Sequence, residues 1–211
     1  SAWVIGKMNM ILHGIDNRAF LENDDVLGNP AHVEADGTRM HFDRILSNPP
    51  FSISYEKEGM KFGPERFQYG YTKENRKRSD LMFAQHMLFS LRPGGVMATV
   101  MPLGVLFRAG DEGKIRKQLI DHDHIEAVIG LPSQLFYNTG IPACVLVMRP
   151  KGEKEQQRRN RILFINADRE FEEGRAQNYL RAEHIEKIVA TFDRYEAIPG
   201  YSAIVPLEVI Q

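Results

Sequence analysis

Five short apolar runs, at residues 42–47, 96–101, 125–130, 143–148 and 161–167, fix the class of fold open to this chain. Between and around them lie segments with helical spacing: residues 3–14, Asp80 to about Leu91, 111–121, and Ala182 to Tyr195. Strands of this length, rich in Val, Ile and Leu and separated by amphipathic helices, predict a mostly parallel sheet with helices on its faces. Arg92-Pro93-Gly94-Gly95 reads as a helix stop ahead of the strand at 96–101. Residues 52–79 form a 28-residue polar stretch with little apolar period, and a loop that long in a compact domain is usually functional. The expected organisation is one domain over 1–150, with 151–211 as its extension carrying one strand and a final helix.

Bulk composition narrows the function classes. With 211 residues, 43% hydrophobic and 26% charged, the chain has the make-up of a soluble globular domain. No apolar run approaches the ~18 residues of a membrane span, and the first residues lack a signal-peptide pattern. The single cysteine, Cys144, lies in the apolar run Ala143–Met148 and reads as a buried core thiol, which suits a reducing cytoplasm. Net charge is −1, without the basic surplus of a stand-alone DNA binder. Basic clusters are local: Lys73, Arg76, Lys77 and Arg78, then Arg158, Arg159 and Arg161. The second, in the mixed run Lys151–Arg161, reads as a solvated linker. His122-Asp123-His124 reads as a solvated loop, not a metal site, because no further ligand stands in register.

The chemistry concentrates in Asn48-Pro49-Pro50-Phe51, directly after the strand that ends Asp43-Arg44-Ile45-Leu46-Ser47. In open α/β sheets, ligands bind outside the carboxyl ends of the strands. Each proline fixes φ and pushes the residue before it into extended geometry. Asn48 therefore sits on a stiff corner, with no amide protons at 49 or 50 to compete for its carbonyls. Such a corner offers two acceptors, the Asn48 side-chain oxygen and a proline carbonyl, beside an aromatic face. It suits a planar group bearing an amine: both N–H groups are accepted, density moves onto nitrogen, and no strong base is needed before attack. The reading requires residues 48–51 to open onto a cleft, with those oxygens turned outward. A plain Pro-Pro turn is the alternative.

These residues resemble the modification (methyltransferase) subunit of type I restriction–modification systems, an N6-adenine DNA methyltransferase family. The likeness runs through Lys7-Met8-Asn9-Met10, Leu12-His13-Gly14, Asp25-Val26-Leu27 and Asp43–Phe51. It continues in Ser79–Phe83, Leu91–Gly95, Pro102–Arg108, Leu131-Pro132 through Phe136, and Thr139–Pro142. The resemblance implies a Rossmann-like class I S-adenosylmethionine-dependent methyltransferase fold. It implies that Asn48 and Pro49 accept the exocyclic adenine amine, with Pro50 stiffening the corner. Phe51 and Phe136 would stack on or wall in a base flipped from the duplex, since a stacked amine cannot be reached. Asp80 matches a site residue on the substrate side, with helix capping as its alternative. Asp25 matches an acidic position near the adenosine part of the cofactor, with a solvated turn carboxylate as its alternative. The implied partners are double-stranded DNA and the specificity and restriction subunits of a type I complex, in the cytoplasm.

One departure stands out. A complete cofactor fold opens with a strand and a Gly-rich turn, and none precedes residue 43. The sequence thus reads as a fragment that binds S-adenosylmethionine weakly or not at all and does not methylate alone. Two other functions stay open: methylation of a protein glutamine, a class that typically has tyrosine where Phe51 stands, and a non-catalytic module that docks a specificity subunit.

Overall fold

The computed structural model describes residues 2–15, 21–136 and 140–210. Helix α1 (Ala2–Leu12) leads to β1 (Phe42–Ser47), the short α2 (Gly63–Arg66), α3 (Asp80–Leu88) and β2 (Leu91–Pro102). Then follow α4 (Asp111–Asp121), β3 (Ile125–Gly130), β4 (Ala143–Met148), β5 (Arg161–Asn166), α5 (Ala182–Arg194), β6 (Ser202–Pro206) and α6 (Leu207–Ile210). The strands form one six-stranded sheet in the order β1-β2-β4-β3-β5-β6. β1 pairs with β2 and β3 with β5 in parallel, while β4 runs antiparallel to both β2 and β3, and β6 antiparallel to β5. The carboxyl ends of β1, β2 and β3 therefore share one rim.

Alternation along the central strands divides the core between the two faces. Val128, Cys144, Leu146 and Met148 join Leu81, Met82, Met87, Ile115 and Leu119 from α3 and α4. Ala127, Ile129, Val147, Leu163 and Ile165 face Ile188 and Tyr195 on the other side. Cys144 is fully buried, and burial pushes its thiol up to about 12.

Several sequence expectations are corrected. The apolar run at 42–47 predicts a buried central strand, but β1 is an edge strand among the described residues, with Leu46 83% exposed. Arg92–Gly95 belongs to β2: Phe42 pairs with Leu91 and Arg44 with Val96, so these residues loop out of the ladder as a bulge. Gly95 is required there, because a Cβ would lie 2.8 Å from the Arg92 carbonyl oxygen. The helix at 182–194 is not the last element, since β6 and α6 follow it.

The 151–161 run is no solvated linker. Lys154 and Arg158 are buried, Lys154 donating to Asp123 at 2.6 Å and Arg158 to Glu126 at 2.9 Å. Nor is His122–His124 a solvated loop. His124 is buried, bonded to the Tyr69 hydroxyl at 2.7 Å and the Arg149 carbonyl at 2.8 Å, and His122 stacks on Tyr69. The 52–79 segment is held by polar contacts rather than apolar periodicity. Its buried Arg66 donates to the carbonyls of Val26, Leu27 and Lys61, and Tyr55 donates to Thr72.

Candidate active site

At the carboxyl end of β1 the chain leaves the sheet at Asn48. Asn48 is exposed, Pro49 buried and Pro50 exposed, with Phe51 half-buried. Pro49 roots the corner while the Asn48 side chain stays free, without a hydrogen bond among the described residues. The corner is a shelf rather than a pocket: residues 48–51 line neither the cleft along β1 nor the one between residues 72–78 and α4, so the cleft expected at this corner is not found among the described residues.

What fixes the shelf lies behind it. Ser52 has a left-handed φ of 50°, a conformation non-glycine residues hold only when their surroundings impose it. Its amide donates to Asp80 Oδ1 at 2.7 Å, and the Ser79 amide donates to the Ile53 carbonyl at 3.3 Å. Asp80 Oδ2 accepts from Arg108 at 3.1 Å, and the same guanidinium nitrogen reaches Glu112 at 3.2 Å. Arg108 arrives from the turn after β2, across Gly104, where a Cβ would fall 2.5 Å from its Nε. An Asp80–Arg108 strut therefore ties the loop after β1 to the loop after β2.

This changes the reading of Asp80. It is 1% exposed with both oxygens engaged by Ser52 and Arg108, behind the loop that follows β1. It is the first residue of α3, and the N-cap is Ser79, whose side chain makes no capping bond. Its charge at that helix start is still favourable. Arg108, absent from the sequence-predicted site residues, is its partner. Nothing local in Phe107-Arg108-Ala109 marks it, because the contact spans 28 positions.

Phe136, in the loop after β3, meets Phe51 edge to face, with ring centroids 6.1 Å apart and planes at 77°. Two loops 85 positions apart in sequence number are thus brought together (136 minus 51). The 133–136 segment is pinned from a third loop, where Asn178 donates its amide to Gln134 and its side chain to Ser133. Two stacking gaps of about 3.4 Å each would need parallel rings further apart, so a base can lie on only one of these faces, with the other ring as a wall. Thr139, part of the same sequence motif, lies outside the described residues.

Asp25 is exposed and caps its own turn, Oδ1 accepting the Leu27 amide at 3.1 Å. Beside the turn, a cleft of about 350 Å³ opens along the free edge of β1, lined by Val26, Pro30, His32, Phe42, Arg44 and Leu46 among others. No three His, Cys, Asp or Glu among the described residues are placed to hold a metal ion, and no described helix is long and apolar enough to cross a membrane.

The family model described as N-6 DNA Methylase matches residues 1–211. The chain belongs to the N-6 DNA methylase family. It is 35% identical over 218 residues to the type I restriction enzyme MjaVII methylase subunit of Methanocaldococcus jannaschii, covering 99% of this chain and 36% of that protein. It is 36% identical over 193 residues to the MpnII methylase subunit of Mycoplasma pneumoniae, covering 89% of this chain and 35% of that protein. The crystal structure of a type I restriction-modification system methyltransferase subunit from Streptococcus thermophilus superposes with a TM-score of 0.85 at 35% identity, covering 97% of this chain and 42% of that one. The chain thus spans about a third of the length of the curated N-6 DNA methylases it matches. Its six-stranded mixed sheet with flanking helices has the Rossmann-like class I methyltransferase fold, with the loop after β1 on the outermost described strand.

Proposed function

We propose that this chain carries the base-handling half of a type I modification subunit, a site-specific DNA adenine-N6 methyltransferase that uses S-adenosylmethionine. The observation that carries the reading is the shelf itself: a free Asn48 on a buried Pro49, at the rim where sheet ligands bind, beside a Phe51–Phe136 corner in an N-6 DNA methylase. Asn48 Oδ1 and the Pro49 carbonyl accept the two N–H groups of an everted adenine. As the nitrogen becomes tetrahedral these acceptors hold its protons and concentrate density on it. Phe51 gives the base a face, and Phe136 closes one side. Asp80 and Arg108 keep the shelf in register without touching the base. Residues 1–150 supply the catalytic part, and 151–211 extend the same domain.

Asp25 fits a cofactor donor: one carboxylate oxygen is held by the Leu27 amide, and the residue is exposed on a turn whose neighbours Asp24 and Val26 line the β1-edge cleft. S-adenosylmethionine, when bound, supplies an electrophilic methyl carbon. Asp25 would hold its adenosine end, while the Gly-rich turn expected of such a site is not among residues 1–211. Residues 1–211 by themselves are therefore proposed to bind the cofactor weakly and to be inactive. Double-stranded DNA and the specificity and restriction subunits of a type I complex are the partners this reading assigns, in the cytoplasm.

The test is methyl transfer by the complete protein, assembled with its specificity subunit, from labelled S-adenosylmethionine to duplex DNA and, separately, to glutamine-containing peptides. Label recovered as N6-methyladenine supports the reading, and Asn48→Ala abolishes it. Label on peptide, or transfer that survives Asn48→Ala, overturns it.

A further inference from the structure

A second cleft is lined by Arg108, the cation of the Asp80–Arg108 strut. It holds about 580 Å³ between the 72–78 turn and the start of α4. Four cations, Lys73, Arg76, Arg78 and Arg108, line it against two carboxylates, Asp111 and Glu112. The carboxylates are already engaged: Glu112 lies 3.4 Å from Arg78 and 3.2 Å from Arg108, and Asp111 is 3.5 Å from Lys114. Lys73 and Arg76 are exposed and form no ion pair among the described residues. Glu74, the acid within the turn, is spent on the Lys57 amide. In a chain with 27 basic and 28 acidic residues, this surplus is local, and two of its charges have no internal use.

The turn that presents them is built. Thr72 Oγ1 donates to the Arg78 carbonyl at 2.7 Å and closes the loop on itself, while the Tyr55 hydroxyl grips Thr72 at 2.5 Å. Phe107, 70% exposed, stands at the cleft's edge and is of little use to the core. Unpaired cations beside an exposed aromatic ring are what a nucleic-acid strand requires: phosphates take the charge, and a sugar or base takes the ring.

We propose that this cleft holds backbone phosphates of the DNA strand next to the everted base, with Lys73 and Arg76 as the phosphate ligands. The inference rests on the methylase reading above and adds to it where the duplex lies. Arg108 joins the two sites, contributing to the wall of the cleft and to the strut under Ser52. A net charge of −1 is no obstacle, because the phosphate contacts are few and clustered.

The experiment uses the complete protein with its specificity subunit and a target duplex, comparing wild type with a Lys73→Gln/Arg76→Gln double variant. A matched control, Lys187→Gln/Arg194→Gln, removes two exposed charges from α5. The observed association constant is measured across a salt series, together with steady-state methylation. For the cleft variant, the slope of log K against log salt is expected to shrink by nearly two, at about 0.9 for each phosphate no longer neutralised. Its KM for DNA should rise while kcat holds, and the control should match wild type. A cleft variant with the wild-type slope overturns the inference while leaving the methylase reading intact. An unaltered slope with weakened capture of the specificity subunit also overturns it, marking the cleft as a protein-docking surface. If wild type itself neither binds nor methylates duplex DNA, both readings fall together.

Discussion

The two ends of the sheet use the same kinds of side chain for opposite purposes. At the amino end of β3, Glu126 is fully buried between Arg149 at 2.5 Å and Arg158 at 2.9 Å, and Arg158 lies over the rings of Phe192 and Tyr195. Lys154 and Asp123 complete that network with every charge answered. At the carboxyl rim the struts are equally well paired, but they support groups left open: the Asn48 amide, the Phe51 ring, and the Lys73 and Arg76 cations. A closed polar network stabilises and does no chemistry, whereas an open group costs little stability only if it remains in water. The difference separates the scaffold from the proposed site.

Glu126→Ala in the complete protein is the harshest test of that separation. It leaves Arg149 and Arg158 facing each other without the carboxylate, and loss of one partner in a buried ion network typically costs about 3–5 kcal/mol. Urea denaturation should register that loss, while methylation per folded molecule stays at the wild-type level. A loss below about 1 kcal/mol, the size of a surface pair, would erase the contrast between the two ends.

Asn48→Ala is expected to do the reverse. Removing a group that acts in the transition state lowers kcat by about 10²–10³-fold. Because the side chain is exposed and bonded to nothing described, the unfolding midpoint should hold to within about 0.5 kcal/mol. A large stability loss would show Asn48 to be part of the scaffold.

Asp80 stands between the two regimes, so its variants should report on both. Asp80→Asn keeps an oxygen for the Ser52 amide but loses the charge facing Arg108. Asp80→Ala loses both, at about 1.5–3 kcal/mol for a hydrogen bond to a charged group. The ordered expectation is a modest fall in kcat for Asn and a larger one for Ala, with KM for DNA unchanged. A KM effect in place of a kcat effect would return Asp80 to the substrate side.

Much of this was legible in residues 42–166, where local pattern and tertiary outcome agree. Phe42–Ser47, Asp111–Asp121, Ile125–Gly130 and Ala143–Met148 stand where apolar spacing put them. The shelf could be read because proline geometry is local. Other features could not. Ser202–Pro206 escapes a reading of the sequence because Ser-Ala-Ile-Val-Pro has no alternation of its own and gains its ladder only from β5. Lys154, Arg158 and His124 look solvated in sequence because charge is normally exposed, and only their partners at 123, 126 and 69 explain the burial. Arg108 is invisible for the same reason. Long-range polar pairs have no period, so sequence marks the Asn48–Phe51 corner and misses the Asp80–Arg108 strut behind it.

His86 gives the smallest and most specific test. Its Nδ1 lies 3.2 Å from Arg66, the buried guanidinium that ties the Asp25-Val26-Leu27 turn to the 61–66 segment. Burial, then the Arg66 charge, hold the imidazole down at about 3, against 6.5 when unfolded. Between those values the unfolded chain binds a proton that the folded chain refuses, so stability rises with pH across the window and is lost on acidification from 6.5 toward 3. The slope from this one group is at most about 1.4 kcal/mol per pH unit. His124, also held below its usual range by burial, adds in the same direction. Chemical denaturation across a pH series from neutral down toward 5 should therefore show His86→Gln losing less stability on acidification than wild type. Because Arg66 grips the turn that carries Asp25, wild-type cofactor affinity in the complete protein should weaken over the same window and recover in part with His86→Gln. Parallel acid profiles for the two proteins would mean that Arg66 and His86 share no charge-dependent coupling, and that the Asp25 turn is set by backbone contacts alone.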